Sequence, residues 1–321
     1  MQRDLYIDTI RGICVIAIIF IHTVFWSGLE YTPEWIRNLA LFIDVPLFFF
    51  LTGCTMAVNV NLNPLKQTFR LICLFFFAVL VCRIIFLDFN LRSIIAPLFL
   101  GGASVPQLKV IQGSYWFVPI YCAGVIWAKM MIDYLKDYVI NIFFVLVPVF
   151  YCYLYFIDNK FSSPEVFSGI SIQMFLFPLW LILLGYKTYN SDKKLIWRIL
   201  AFVFFIIIVF LALSKEHFYL QSYKFPISLP YIIASLISFC LVMGFKTQVK
   251  NNLFVDIGQK ALYFYLAQGI SSSVLYFIVD AVILDWPLKL LLCFSLNCSM
   301  TILIGRLISE IEPKILSVIT K

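Results

Sequence analysis

The sequence is a succession of long apolar stretches separated by short polar connections. A helix needs roughly 20 predominantly apolar residues to cross the hydrocarbon core of a bilayer. Stretches of about this length occur at 10–29, 39–58, 68–87, 115–132, 138–157, 169–186, 195–213, 225–245, 261–284 and 286–308. The pattern therefore predicts about ten transmembrane helices. A further apolar run at 94–100 is too short to span and is predicted to be re-entrant or interfacial.

The connections between the predicted helices leave no room for a separate soluble domain. The longest of them, 88–114, holds 27 residues, and no internal repeat or low-complexity tract is visible. Any chemistry must then be carried out by the helices and their short loops. We expect one transmembrane domain over residues 1–321, built as an all-α polytopic helix bundle.

Composition excludes the main soluble classes. Of the residues, 63% are hydrophobic and only 13% are charged, which is too little charge to cover a soluble core. Soluble enzymes, secreted disulfide scaffolds and disordered chains are therefore excluded. The nine cysteines fall almost entirely within predicted helices, without C-x-x-C pairs, and are predicted to be packing residues rather than metal ligands.

The basic residues report topology rather than a nucleic-acid partner. The net charge is +7, but Lys and Arg are scattered among short connections instead of forming one basic face. If the N-terminus is cytoplasmic, sixteen of them lie on the inner side and seven on the outer side. This bias follows the positive-inside rule. We therefore expect both termini in the cytoplasm, the lipid bilayer as a partner, and no nucleic acid.

Three ionisable residues share one face of the first predicted helix. At 100° per residue, Arg11 and His22 differ by only about 20° around the helix axis, and Asp8 lies within about 60° of Arg11. Arg11 and His22 are about 16 Å apart along the axis. Ionisable groups within a span are costly, so they mark either a functional site or a paired structural contact.

Both interpretations of this polar face remain open at the residue level. Arg11 can bind phosphate through its fork of donors, and a neutral His22 can accept a proton inside a bundle. An elongated ligand with a phosphate-bearing head and a reactive tail, such as coenzyme A, could span the two. Alternatively, Arg11 and Asp8 form an interfacial ion pair and His22 hydrogen-bonds another helix. His217, the other histidine, lies in a predicted outer loop and is expected to be solvated.

Two motifs resemble the acyltransferase 3 family of integral membrane acyltransferases. The first is residues 3–12 (RDLYIDTIRG) followed by an apolar run to His22, which gives the family's spacing of ten residues between Arg11 and His22. The second is residues 44–53 (DVPLFFFLTG) on the second predicted helix. The resemblance is strongest over residues 1–60 and continues through 115–117.

The chain departs from the family pattern in two places. Members often carry R-x-x-R after the second span, whereas here the basic pair is Lys66 and Arg70, within KQTFR. Many members also have a histidine near the end of a late helix, where this chain has Gln268. The second departure leaves His22 as the sole imidazole of the predicted spans.

The resemblance implies transfer of an acyl group, usually acetyl, from cytoplasmic acetyl-CoA or another acyl-CoA. The acceptor is expected to be a hydroxyl of a cell-surface polysaccharide or of its lipid-linked sugar precursor. His22 would be the catalytic general base or would carry the acyl group as a transient acyl-histidine, and the sequence does not separate these. No metal is expected, and the cell (plasma or inner) membrane is the expected location.

The remaining candidate site residues follow from the same resemblance. Arg11, Arg70 and Lys66 are expected to bind the phosphates of the donor on the cytoplasmic side, with Asp8 orienting Arg11 through an i,i+3 pair. The other candidates lie at the outer ends of spans: Asp44, as a second catalytic residue that contacts His22 or the acceptor, and Tyr115 and Trp116, as acceptor-binding aromatic residues. A plain interfacial aspartate and an aromatic belt are the competing interpretations there.

Polar residues of the late spans are predicted to connect helices rather than to bind substrate. They are Gln268, Ser271, Ser272, Ser273, Asn297, Ser299 and Thr301.

Other functions remain alternatives. A transporter or flippase for lipid-linked sugars would share this composition, although no second copy of the Asp8, Arg11 and His22 pattern supports a repeated architecture. A glycan polymerase is a third candidate. The sequence leaves the identity of the sugar, the acyl group and the oligomeric state open, including a homo-oligomer.

Overall fold

The computed structural model describes residues 4–59, 61–85, 110–111, 116–156, 165–167, 170–215 and 217–319. This part of the chain is almost entirely α-helical, as predicted, with one short antiparallel pair of strands, β1 (Glu165–Phe167) and β2 (Ile170–Ser171). Its helices are α1 (Leu5–His22), α2 (Glu34–Ala40), α3 (Val45–Val58), α4 (Pro64–Ile85), α5 (Phe117–Tyr134), α6 (Asp137–Phe156), α7 (Ile172–Thr188), α8 (Lys194–Leu213), α9 (Leu229–Gly244), α10 (Leu253–Gln259), α11 (Ala261–Ile278) and α12 (Trp286–Ile319).

The helices coincide with the apolar stretches of the sequence. Within the described residues, seven helical segments are long and apolar enough to cross a membrane: Leu5–Ser27, Glu34–Val58, Phe117–Tyr134, Asp137–Phe156, Lys194–Leu213, Ala261–Ala281 and Trp286–Glu312. Two shorter apolar helices, α7 and α9, and the 22-residue α4 occupy the other predicted stretches. The chain is therefore a multi-pass membrane protein. The count of ten spans and the cytoplasmic termini remain predictions, and the run at 94–100 lies outside the described residues.

The chain forms two compact units. Unit 1 comprises residues 1–7, 41–65 and 120–250, and unit 2 comprises residues 8–40, 66–119 and 251–321. The prediction of one domain over 1–321 therefore stays a prediction.

Unit 1 is built on close contact between α3 and α7. A Cβ added at Gly53 would lie 1.8 Å from the Ile182 carbonyl oxygen, and one at Gly185 would lie 2.0 Å from the Phe50 carbonyl oxygen. Only glycine permits backbones to approach so closely. In the same unit α8 packs on α9 and leaves most of its apolar side chains exposed, as a helix that faces lipid should.

Unit 2 is built around α11 and α12, which pack side by side with the end of α1 against them. Phe20 of α1 meets Phe294 of α12 edge to face, with ring centroids 5.2 Å apart. Gly305 of α12 accommodates the ring of Phe264, whose nearest atom lies 2.4 Å from where a Cβ would be. Gly305 is therefore a close-packing position.

Helix starts in both units follow local capping rules. The side chain of Asp44 accepts a hydrogen bond from the Val45 amide at 2.7 Å and Pro46 occupies the first turn of α3. In unit 2 the side chain of Asn252 caps α10 by accepting from the Val255 amide at 3.0 Å.

Candidate functional site

The polar face of α1 carries an ion pair near its N-terminal end. Asp8 and Arg11 are 3.5 Å apart (Oδ1 to Nη1), one helical turn from each other, which confirms the predicted i,i+3 pair. Asp8 is buried, whereas about a fifth of the Arg11 side chain is exposed. The buried carboxylate fixes the guanidinium while part of that group remains accessible, which is an arrangement suited to an anionic ligand.

The short helix α10 holds this part of α1 in place. A Cβ at Gly258 would lie 1.7 Å from the carbonyl oxygen of Asp8, and one at Gly12 would lie 2.1 Å from the carbonyl oxygen of Phe254. The two glycines let the backbones of α1 and α10 touch. Because α10 packs on the turn that includes Asp8 and Arg11, it positions the ion pair through the backbone.

His22 ends the α-helical part of α1. The next five residues, Thr23–Ser27, form a π-helical turn, in which the backbone hydrogen-bond pattern shifts by one residue. His22 is half-buried, whereas Thr23 and Ser27 are buried. Such π turns are frequent at functional sites.

A buried polar network fixes the π turn to α11 and α12. The Asn297 amide donates at 3.0 Å to both the Thr23 hydroxyl and the Ser272 hydroxyl. Ser271 donates to Asn297 Oδ1 at 2.8 Å and lies 2.6 Å from the Thr301 hydroxyl. Thr23, the residue that follows His22, is thereby bonded directly to α12 and, through Asn297, to α11.

The prediction that the late polar residues connect helices is confirmed for Ser271, Ser272, Asn297 and Thr301. Ser273 and Ser299 donate to carbonyls of their own helices, and the Gln268 side chain bonds to no described residue.

Arg70 of α4 is held by two residues that the sequence did not single out. Its guanidinium forms a two-point ion pair with Glu312, with Nε to Oε1 at 2.5 Å and Nη2 to Oε2 at 2.7 Å, and it also donates to the Tyr263 hydroxyl. Tyr263 in turn donates to Glu312 at 2.7 Å. Glu312 is buried, yet half of the Arg70 side chain is exposed. Lys66, one turn earlier on α4, is exposed.

Asp44 belongs to a buried charged cluster in unit 1. Its second carboxylate oxygen accepts from the Tyr231 hydroxyl at 2.6 Å and pairs with the Lys224 ammonium at 2.6 Å. Both Asp44 and Lys224 are buried. Together with the cap of α3, these contacts give Asp44 a complete set of partners within unit 1. The predicted contact of Asp44 with His22 or an acceptor remains a prediction.

A cation and two aromatic rings lie together in the connection after α8. Lys215 donates a hydrogen bond to the Tyr223 hydroxyl, and Phe218 stacks on Tyr223 with ring centroids 5.7 Å apart. The hydrogen bond to Tyr223 raises the pKa of the Lys215 ammonium above its ordinary value. Lys215 therefore stays charged at neutral pH.

The structure places the other predicted residues as follows. Trp116 is half-buried directly before α5, in unit 2, and Tyr115 lies outside the described residues. Asp8, Arg11, His22, Lys66 and Arg70 all belong to unit 2, whereas Asp44 belongs to unit 1. No group of three or more potential metal ligands occurs in the part of the chain that the structure describes.

Sequence reasoning missed Glu312, Tyr263, Lys224 and Tyr231. Glu312 is 242 positions from Arg70 along the chain, and Tyr231 is 187 positions from Asp44. No local spacing could indicate either pair. Glu312 itself was the one available signal. A carboxylate in an apolar helix is costly in a membrane unless it is paired, so its presence indicates a basic partner.

Unit 2 thus offers two arginines held by carboxylates, both partly exposed, and an imidazole on the same helix as one of them. Arginines in this state bind phosphate, and the imidazole can exchange protons.

Comparison with known proteins agrees with this chemistry. The model of the acyltransferase 3 family, described as an acyltransferase domain, matches residues 4–306, nearly the whole chain. No curated protein matches the chain, and no solved structure matches it. The family match covers the first motif from Asp4 onward, the whole second motif and all of the site residues named above except Glu312. The chain belongs to the acyltransferase 3 family and is a membrane acyltransferase.

Proposed function

We propose that the protein transfers an acyl group, most simply acetyl, from cytoplasmic acyl-CoA to a hydroxyl of a cell-surface polysaccharide or its lipid-linked precursor. The observation that carries the proposal is the face of α1. An arginine fixed by Asp8 lies near one end of this helix, and His22 lies about 16 Å further along, where the helix changes to a π turn. This separation suits a donor whose phosphates and thioester are far apart.

Donor phosphates would contact the arginines of unit 2. Arg11 and Arg70 each have a carboxylate on one side and an exposed portion on the other, so each can add a second anion without losing its first partner. Exposed Lys66 would add a third positive charge one turn from Arg70. The predicted cytoplasmic location of these residues agrees with the cellular pool of acyl-CoA.

His22 would carry the proton or the acyl group. As a general base, its neutral imidazole takes the proton of the sugar hydroxyl while the oxygen attacks the thioester carbonyl carbon. The carbon–oxygen bond forms, the carbon–sulfur bond breaks, and the proton passes to the departing CoA sulfur. In the relay form the imidazole attacks the thioester carbonyl carbon, the carbon–sulfur bond breaks, and CoA leaves as the thiol with the imidazole proton. The sugar oxygen then attacks the acyl-histidine, the carbon–nitrogen bond breaks, and the hydroxyl proton returns to the imidazole.

Acceptor binding is proposed for the predicted outer side. Tyr115 and, in unit 2, Trp116 remain candidates there. In unit 1, the Lys215, Phe218 and Tyr223 group is a separate candidate, because it has stacked aromatic rings and a cation. Asp44 would support the outer side structurally through Lys224 and Tyr231, and its catalytic role remains a proposal.

The test is replacement of each histidine in turn. We expect His22→Ala to abolish acylation of the host glycan, because no other imidazole lies within the predicted spans. His217→Ala is the matched control, since His217 is exposed in a loop, and we expect it to acylate normally. Mass spectrometry of surface polysaccharide from cells that express each variant at equal membrane levels measures the acyl mass.

Full acylation by His22→Ala would remove the proposed mechanism. Loss of the whole polymer in cells that lack the gene, rather than loss of an acyl mass, would favour the flippase or polymerase instead.

A further inference from the structure

One buried side chain in unit 2 is an exception to the hydrogen bonding around it. Gln268 on α11 is 1% exposed, and its Oε1 and Nε2 are both buried without a hydrogen bond to any described residue. A buried amide that satisfies neither its donor nor its acceptor is unfavourable. Its chemistry therefore points to a partner that is not part of the described chain.

The polar residues next to Gln268 on α11 are satisfied. Ser271 and Ser272 bond to Asn297, and Ser273 donates to the Gly269 carbonyl at 2.8 Å. Ser272 lies four residues after Gln268, on the same face of α11. Gln268 thus shares the face of α11 that is joined through Asn297 to Thr23.

Contacts near the two ends of α1 place Gln268 at a level between Arg11 and His22 along the helix axis. At the lower end, Gly258 of α10 touches the backbone of Asp8, and α11 starts three residues later at Ala261. At the upper end, Asn297 joins Ser272 to Thr23. Gln268 is about 6 Å below Ser272 along α11.

The unsatisfied donor and acceptor define the chemical class of the partner. A carboxylamide pairs best with another amide, which offers one N–H and one C=O. A phosphate or an oxyanion would satisfy only the Gln268 N–H groups.

We propose that Gln268 binds a secondary amide in the pantetheine arm of the acyl-CoA donor. This arm carries two such amides between the phosphates and the thioester, which is the interval that Gln268 occupies between Arg11 and His22. The inference rests on the proposed function, because it requires the donor to lie along α1. The acetamido group of an N-acetylated sugar has the same chemistry, and the experiment separates the two sources.

The test compares ligands that contain or lack the amides. Full-length protein in nanodiscs is titrated with CoA, with 3′-phospho-ADP, which is CoA without pantetheine, and with N,N′-diacetylchitobiose. We expect Gln268→Met to weaken CoA binding about tenfold, as for the loss of two net hydrogen bonds, while 3′-phospho-ADP binds as to the wild type. Gln173→Met, which removes a buried glutamine amide from α7, is the control and is expected to leave both affinities unchanged.

The outcomes are distinguishable. Unchanged CoA affinity in Gln268→Met overturns the pantetheine assignment, and a selective loss of chitobiose binding would assign the amide to the acceptor instead. Absence of CoA binding by the wild type would contradict the proposed function itself.

Thermal melting identifies misfolded variants. If Gln268→Met misfolds, Gln268→Asn is measured with the same ligands; this variant retains the amide on a shorter side chain. CoA binding by Gln268→Asn at wild-type strength would then overturn the proposal.

Discussion

At the residue scale, the site is defined by how charges are neutralised in an apolar environment. Asp8 and Glu312 are buried carboxylates, and each holds an arginine whose side chain reaches the surface. Arg70 therefore has two functions, and a single substitution would remove both at once. It compensates a buried charge, and it is available to an anionic ligand.

A double substitution separates the two functions of Arg70. We expect Arg70→Ala to lower the free energy of unfolding by about 2 kcal/mol, because Glu312 is then a buried charge without its counter-ion; the half exposure of Arg70 keeps the effect below that of a fully buried pair. We expect Arg70→Ala combined with Glu312→Gln to recover the stability but not donor affinity. Thermal melting and CoA titration of the two variants are the measurements. Wild-type CoA binding by the double variant would show that Arg70 is only structural.

The sequence was sufficient for contacts within one helix and insufficient for contacts between helices. The Asp8–Arg11 pair follows from an i,i+3 spacing, so it was predictable. The pair of Asp44 with Lys224 was not, because Lys224 directly precedes the predicted span 225–245 and counted only as one of the seven basic residues of the outer side. Topology alone explained Lys224, and nothing local indicated that it is buried.

At the element scale, backbone contact between α1 and α10 determines where the ion pair lies. Hydropathy predicted α1 but not α10, because a seven-residue helix at the edge of the apolar pattern produces no long apolar run. The π turn was likewise not predictable, since the apolar pattern runs without interruption through Thr23–Ser27.

Enlarging a glycine tests this contact. We expect Gly258→Ala to separate α10 from α1, because the added methyl group would lie 1.7 Å from the Asp8 carbonyl oxygen. Overpacking of this kind costs about 1–3 kcal/mol. We also expect a higher KM for the acyl donor. Gly124→Ala is the control, since its methyl group meets only the tip of the Ile182 side chain at 3.3 Å. Equal melting temperatures for the two variants would contradict this account.

At the scale of the whole molecule, the predicted topology would place the arginines of the proposed donor site on the cytoplasmic side. The orientation rests on the distribution of Lys and Arg and can be measured directly. We expect a cysteine at Lys193 to react with a membrane-impermeant maleimide only after cells are permeabilised, and a cysteine at His217 to react in intact cells. Both positions are exposed, so access to the reagent reports the side of the membrane.

The parent protein provides the background for this labelling, because its described cysteines are buried or half-buried. Labelling of the Lys193 position in intact cells would invert the topology and place Arg11 and Arg70 away from the acyl-CoA pool.

The π turn after His22 has a consequence for sequence length. A π turn contains one residue more than an α-helical turn, so Thr23–Ser27 behaves as an α-helix with a single inserted residue. Removing one residue there would let α1 continue as a regular helix and would leave every residue up to His22 on its present face. Residues beyond the deletion would also keep about their present faces, because the extra residue is absorbed within the one wide turn. The deletion would remove the wide turn itself, in which the hydroxyl of Thr23 accepts a hydrogen bond from Asn297. The presence of one amino acid therefore determines whether His22 is followed by a π turn bonded to Asn297 or by a regular α-helical turn.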